Sequence, residues 1–217
     1  MNGFKDREEA GKLLGEEVSR RLPPGTPVVV FGIPRGGVVV ALEVARRMEA
    51  DLDVIVPAKI RAPQQRELGL GAVAPDGSLY RDEETISILG VSEEYMTKEI
   101  EERSAEIRRR MEAYRGRRPQ LDLAGMTAVL VDDGIATGGT AIAAARSLRL
   151  AGPEKVILAV PVAPPSTLER LEKEVDELIC LIAPESFIAV GAWYRDFSQV
   201  PDEHVRSTLK KETSREL

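Results

Sequence analysis

Apolar and polar positions along this chain alternate between two rhythms. Val28, Val29, Val30 and Phe31 form an unbroken apolar run closed by Gly32 and Pro34, and residues 38–48 then place Val39, Leu42 and Val44 at helical spacing. This predicts a strand followed by a helix. Val54, Ile55 and Val56 start a second strand that runs toward Lys59 and Ile60. Runs that are apolar at every position suit a sheet covered by helices on both faces, so the sheet should be largely parallel. The alternation returns later: residues 126–133 read as a strand, 139–150 as a helix ended by Gly152 and Pro153, 156–160 as a strand, 167–175 as a helix and 178–182 as a strand. Strands and helices alternating at this interval predict a doubly wound α/β sheet with right-handed crossovers.

Two stretches break the rhythm. From 61 to 82 the composition turns to Pro, Gln, Arg, Gly and Asp, and Pro75, Asp76 and Gly77 mark a turn between residues 71–73 and 78–80. A mobile loop or small hairpin is expected there. Ser92 then caps a long helix, with Glu93 and Glu94 in its first turn, Met96, Ile100, Ile107 and Met111 along one side, and Arg108, Arg109 and Arg110 near its end. No internal repeat or low-complexity segment is present. A chain of 217 residues can bury one substantial core, so residues 1–217 are expected to form a single domain.

Composition changes this picture by exclusion. Hydrophobic residues make up 43% and charged residues 30%, too apolar a mixture for a disordered chain. A net charge of −6 gives no global attraction to nucleic acid or to an anionic membrane, so any anion site must be local. One cysteine, Cys180, rules out an intrachain disulfide, and it stands in the apolar run 178–182, which marks a buried structural thiol. One histidine, His204, rules out His-rich zinc sites and leaves a Ser/His/Asp triad a single base. Residues 1–21 mix acids and bases at helical spacing without the apolar stretch of a signal peptide, and no run approaches the ~20 apolar residues of a membrane span. Cytoplasmic residence is expected.

The chemistry concentrates where Ala128, Val129, Leu130 and Val131 lead directly into Asp132 and Asp133, followed by Gly134, Ile135, Ala136, Thr137, Gly138, Gly139 and Thr140. Acids at the carboxyl end of a parallel strand project into the crevice where α/β sheets bind ligands, and there they can accept hydrogen bonds from paired ribose hydroxyls. Ala136, Thr137, Gly138, Gly139 and Thr140 offer backbone N–H groups at a helix start with two hydroxyls beside them, a cradle for phosphate. Adjacent acids before a phosphate loop describe a sugar phosphate read at both ends. The segment resembles the diphosphate-sugar binding motif of the type I phosphoribosyltransferases at every defining position.

That resemblance spans the chain from about Asp6 to Val205 and implies the fold of that family, 5-phosphoribosyl 1-pyrophosphate as substrate and Mg²⁺ as cofactor. The metal would be held mainly through the substrate, with Asp132 or Asp133 as the protein ligand in reach. It implies that the loop of Gly32, Ile33, Pro34, Arg35, Gly36 and Gly37 holds pyrophosphate, where the planar fork of Arg35 can bridge two oxygens. Lys59 would assist pyrophosphate, and Arg61 and Arg66 lie in a following loop, about 61–82, that closes over the reacting centre in this family. Lys59, Ile60, Arg61, Ala62 and Pro63, with residues 67–73, look like a subgroup of predicted phosphoribosyltransferases with no established acceptor. Asp132, Asp133, Arg35 and Lys59 are the catalytic candidates.

The acceptor, a nitrogenous base or related group, is expected under a small hood formed by residues of about 184–217. Phe187 and Trp193 are the candidates for stacking on it, in a stretch similar to the base-stacking segment of purine-salvage members. Members that take 6-oxopurines carry a lysine near the preceding strand end, where this chain reads Val160, Pro161, Val162, Ala163, Pro164 and Pro165, so hypoxanthine and guanine fit poorly. A homodimer is among the assemblies the resemblance allows. Gly69, Gly71 and Ala74 fit a dinucleotide fingerprint by spacing, but they follow Arg66 and Glu67 rather than a strand and precede Pro75 rather than a helix. The competing function is a regulator that senses the diphosphate sugar without catalysis. Such proteins often add a DNA-binding module, and neither chain end supplies a helix-turn-helix with a basic face.

Overall fold

The computed structural model describes residues 3–65, 68–116 and 121–213, with backbone alone for 211–213. In chain order the elements are α1 (Arg7–Arg21), β1 (Val28–Gly32), α2 (Gly36–Met48), β2 (Asp51–Val54), β3 (Ala58–Arg61), β4 (Gly69–Val73), β5 (Leu79–Arg81), α3 (Glu83–Ile88), α4 (Glu93–Arg115), β6 (Thr127–Val131), α5 (Gly139–Leu150), β7 (Lys155–Val162), α6 (Pro165–Leu171), β8 (Glu177–Ile182), a 3₁₀ turn (Val190–Trp193) and α7 (Asp202–Thr213). Asp6 caps α1 by accepting from Glu9 N at 2.9 Å, and Ser92 caps α4 through Tyr95 N.

Five strands form a parallel sheet in the order β2-β1-β6-β7-β8. Alternate side chains of each strand feed two cores. Val28, Val30, Val129, Val131, Ile157 and Ala159 meet α1, α2 and α7 on one face. Val29, Phe31, Ala128, Leu130, Val156 and Leu158 meet α5 and α6 on the other. Helices on both faces explain why the strand sequences are apolar at every position. Helix α1 lies tightly on α2 because Gly11 and Gly15 face it, and a Cβ on Gly11 would stand 2.8 Å from Val40 O.

The second strand departs from the sequence expectation. It begins at Asp51, ends at Val54, and the chain then leaves the parallel sheet. Pro57 has no N–H to give to a ladder and sits at the break. Lys59 and Ile60 therefore belong not to the second parallel strand but to β3 of a separate antiparallel sheet, ordered β3-β4-β5. Of the two forms expected for 61–82, the described residues take the hairpin form, in β4 and β5. Ile60, Leu70 and Met96 pack together on the α4 side, and Ala72 and Ala74 meet Ala143 of α5 on the other. Helix α7, within the stretch expected to form the hood or C-terminal segment, buries Val205 and Leu209 in the core beside α1 and α2. Its apolar positions are spaced four apart and follow an acidic first turn, a pattern that fits a core-covering helix.

The register of the small sheet rests on Gly71. Its φ is +151°, and a Cβ there would stand 2.1 Å from Tyr80 O on the paired strand. Gly71→Ala should lower stability to urea by about 3 kcal/mol, since backbone strain and a backbone clash combine. An unchanged unfolding midpoint would show that the β4–β5 pairing can relax around a methyl group.

Candidate active site

Strands β1 and β6 are neighbours, and the chain winds away from them in opposite directions, to β2 on one side and β7 on the other. Such a switch point opens a crevice at the carboxyl ends of the strands. Ile33 N donates to Val131 O at 2.9 Å, which carries the pairing one residue past Gly32. The loops after the two strands therefore emerge side by side. A Cβ on Gly37 would lie 2.9 Å from Asp132 Oδ1, and one on Gly36 would lie 1.8 Å from Asp133 Oδ2. Neither glycine has a positive φ, so both are required by close approach. The first turns of α2 and α5 both open here. Their caps, Arg35 and Gly138, make no side-chain capping bond, which leaves the first-turn N–H groups for an anion.

The two acids have different surroundings. Asp132 Oδ1 accepts from Asp133 N at 2.8 Å. Burial, reinforced by the neighbouring Asp133 carboxylate, holds the Asp132 carboxyl well above the usual aspartate range. Asp133 Oδ2 pairs with Arg7 Nε at 2.7 Å, and both side chains are largely buried. The carbonyl of Asp133 accepts from Tyr194 Oη at 2.5 Å, and burial beside Asp133 pushes that phenol upward. Arg7 also donates to Ser198 O at 2.9 Å and lies 3.8 Å above the centre of the Phe197 ring.

The hood expected from 184 onward is thus joined by the chain's first described residues. Phe4 N donates to Trp193 O, and Arg195 N donates to Phe4 O. Trp193 is half-buried against Phe4, Ala10 and Tyr194. Phe187 is half-buried, next to an Ile188 that is 90% exposed.

The second loop is held from outside. Thr167 Oγ1 donates to Ala136 O at 2.7 Å, and Arg170 Nη2 donates to Thr137 O at 2.8 Å. A Cβ on Gly139 would stand 3.3 Å from Tyr80 Cδ1, so β5 reaches the start of α5. Ala136 and Thr137 are exposed, while Gly139 and Thr140 are half-buried.

Arg35 is exposed at the crevice, and the Pro34–Arg35 peptide bond is cis. Lys59 stands opposite Ala72, which stands opposite Tyr80, so the three form one row on the face of the small sheet that packs on α5. Arg61 accepts through its carbonyl from Tyr95 Oη of α4. Arg66 lies outside the described residues. Cys180, expected to be buried, is half-buried: it donates to Ile182 O and burial raises its pKa. Among the described residues no group of three or more His, Cys, Asp or Glu is arranged to hold a metal, and no helix is long and apolar enough to cross a membrane.

The structure brings the two acids and the two loops named from the sequence together at one crevice, and it adds contacts from Arg7, Tyr80, Tyr194, Thr167 and Arg170 that the sequence did not suggest. Each of these reaches the site across a long sequence separation, 126 residues for the Arg7 to Asp133 pair. No spacing rule links them.

A model of the phosphoribosyl transferase domain family matches residues 8–196. The chain is 42% identical to TT1426 of Thermus thermophilus, whose crystal structure superposes with a TM-score of 0.79 over 96% of this chain and 98% of that one. A Mycobacterium tuberculosis protein provisionally named a phosphoribosyl transferase, Rv0571c, is 40% identical over 97% of this chain but only 47% of its own length. The chain thus spans about half the length of the curated relatives it matches. A 60-residue stretch is 47% identical to the ribose-phosphate pyrophosphokinase of Pyrococcus furiosus, covering 27% of this chain and 22% of that enzyme.

The raised pKa of Asp132 fixes how this acid contributes to stability. A carboxyl whose pKa is higher folded than unfolded takes up a proton on folding, so stability is lost as pH rises through the window between the two values. The window opens near the ordinary aspartate value of about 3.9 and extends upward. Asp132→Asn should therefore be more thermally stable than the wild type at pH 8, and the difference should shrink toward zero as pH falls to 4. Melting curves across that range check it, and a wild type that is the more stable protein at pH 8 would contradict the assignment.

Proposed function

The chain belongs to the phosphoribosyl transferase domain family, and we propose that it binds 5-phosphoribosyl 1-pyrophosphate with Mg²⁺ and transfers the phosphoribosyl group to a nitrogenous acceptor. The observation that carries this reading is the contact of Gly36 and Gly37 with Asp133 and Asp132, between two helix starts that no side chain caps. One anion loop and one acid pair would fit many sugar phosphates. Two anion loops meeting at the acids fit a sugar that carries phosphate at one end and pyrophosphate at the other. The stretch shared with an enzyme named for ribose phosphate and pyrophosphate supports the same ligand.

In this reading Thr137, Gly138, Gly139 and Thr140, with Ala136, hold the 5′-phosphate as an anchor that does not change during reaction. Asp133 Oδ2 is engaged by Arg7, so the ribose hydroxyls fall to Asp132 and to Oδ1 of Asp133. Arg35 and the N–H groups of Gly36 and Gly37 receive the pyrophosphate, with Lys59 as a further cation. Departure of pyrophosphate leaves positive charge at C1, and the adjacent carboxylates stabilise it where it develops. The donor set fits Mg²⁺ carried by the substrate: two acids stand at the crevice and Asp132 or Asp133 would supply the protein ligand. When bound, Mg²⁺ neutralises the leaving pyrophosphate. The acceptor would approach under the cap made by the segments around Phe4 and Trp193. The rival regulator reading is separated from catalysis by assaying pyrophosphate release over a panel of bases.

Two measurements check this. Calorimetry with the diphosphate sugar should give binding that a chelator weakens strongly, and binding that is absent or indifferent to chelator would sink the proposal. Arg35→Ala should weaken Mg-pyrophosphate binding by about 10- to 100-fold, the usual effect of losing charged hydrogen bonds, and change ribose 5-phosphate binding by less than about twofold. Equal losses for the two ligands would remove Arg35 from the leaving-group site.

A further inference from the structure

We propose that α6 is a clamp that orients the phosphate loop, with Thr167 and Arg170 as positioning residues that act on the loop's carbonyls. This rests on the reading of residues 136–140 as a phosphate cradle. Thr167 is 3% exposed, and its hydroxyl donates to Ala136 O at 2.7 Å. Arg170, one helical turn on, donates to Thr137 O at 2.8 Å. Two consecutive peptide carbonyls are thereby fixed onto the same helix. In a planar trans peptide the carbonyl and the following N–H point in opposite directions. Holding the Ala136 and Thr137 carbonyls against α6 therefore turns the N–H groups of Thr137 and Gly138 to the loop's open side, where a phosphate would sit.

The packing leaves little slack for the opposite orientation. A Cβ on Gly138 would stand 3.1 Å from Thr167 Cγ2 and 3.4 Å from Leu171 Cδ2, so α6 lies against the loop along a full turn. Gly138 has φ +79°, which places successive N–H groups on one side of a concave loop. Arg170 Nη1 also comes to 3.5 Å from Tyr80 Oη, whose ring borders Gly139. The loop from 134 to 140 contains no lysine or arginine, so beside the hydroxyls of Thr137 and Thr140 its hold on an anion depends on N–H direction, and a freely turning peptide would present a carbonyl instead. Preorganised donors bind without reorganising when the ligand arrives, which is what the clamp supplies.

The test measures ribose 5-phosphate and Mg-pyrophosphate binding by calorimetry in the full chain. Thr167→Val keeps the shape and removes the donor, and it should weaken ribose 5-phosphate by about tenfold while leaving pyrophosphate unchanged. Thr167→Ser should restore the affinity. Arg170→Leu should give a smaller loss, about fivefold, and Arg170→Gln, which keeps an N–H donor without the charge, should recover most of it. Arg170 is exposed, so this second pair decides the matter if Thr167→Val does not fold. Wild-type affinity in Thr167→Val, or equal losses for both ligands, would overturn the clamp and leave the phosphate reading standing. A wild type that takes up pyrophosphate but not ribose 5-phosphate would overturn the phosphate reading of the loop, and the clamp with it.

Discussion

Everything at the crevice depends on the in-register parallel pairing of β1 with β6. Gly32 stands opposite Val131, and Ile33 N continues the ladder to Val131 O. The loops that follow are then forced to share one small volume. Residues 36 and 37 meet Asp133 and Asp132 with no room for a methyl group between them. Backbone thus packs against carboxylates, an arrangement that carries a desolvation penalty unless the charges find partners. Their partners are near: Asp133 N for Asp132, and Arg7 for Asp133. The site's electrostatics follow from its packing.

Asp133 links two regions that the sequence keeps far apart. Its carboxylate holds Arg7 at the start of α1, and its carbonyl holds Tyr194 beyond the 3₁₀ turn. Arg7 in turn lies on Phe197 and donates to Ser198 O, while Phe4 and Trp193 are joined through the backbone. The cap is therefore anchored on the acid rather than resting over it. A charged group paired at 2.7 Å and largely screened from water is expensive to separate, so the position of the cap and the state of Asp133 are coupled. In the function proposed above, bringing an acceptor under the cap and a ribose to the acids would not be independent events.

What the sequence made legible and what it hid divide along sequence distance. The apolar runs, Gly152 and the acids before Gly134 are local signals, and each element they announce is present. The break after Val54 was hidden because Val56, Ala58 and Ile60 continue an apolar pattern across Pro57, although Val56 packs into the core of the parallel sheet and Ala58 and Ile60 belong to the small antiparallel sheet. Chain position alone does not separate a hood from a C-terminal segment within 184–217, and the burial of Val205 and Leu209 places α7 on the core. Arg7, Thr167 and Arg170 could not be found by spacing at all. An arginine in the first turn of a helix and a threonine beside Pro164 and Pro165 look ordinary until the sheet order brings them to the loops.

The two loops at the crevice differ in how firmly they are held, and the difference matches the chemistry proposed for them. The loop at 134–138 is bounded by α6 through two side-chain bonds and by Tyr80 at Gly139, so its donors are fixed before any ligand arrives. The loop at 34–37 has its glycines pressed on the acids, but Arg35 extends from it into solvent. A group that stays bound through the reaction gains from a rigid cradle, because the entropy of ordering is met once, in folding. A group that must leave gains from contacts that strengthen as its charge grows and that water can then replace. An exposed guanidinium beside two glycine N–H groups meets that second requirement, and a clamp that fixes peptide carbonyls through Thr167 and Arg170 meets the first.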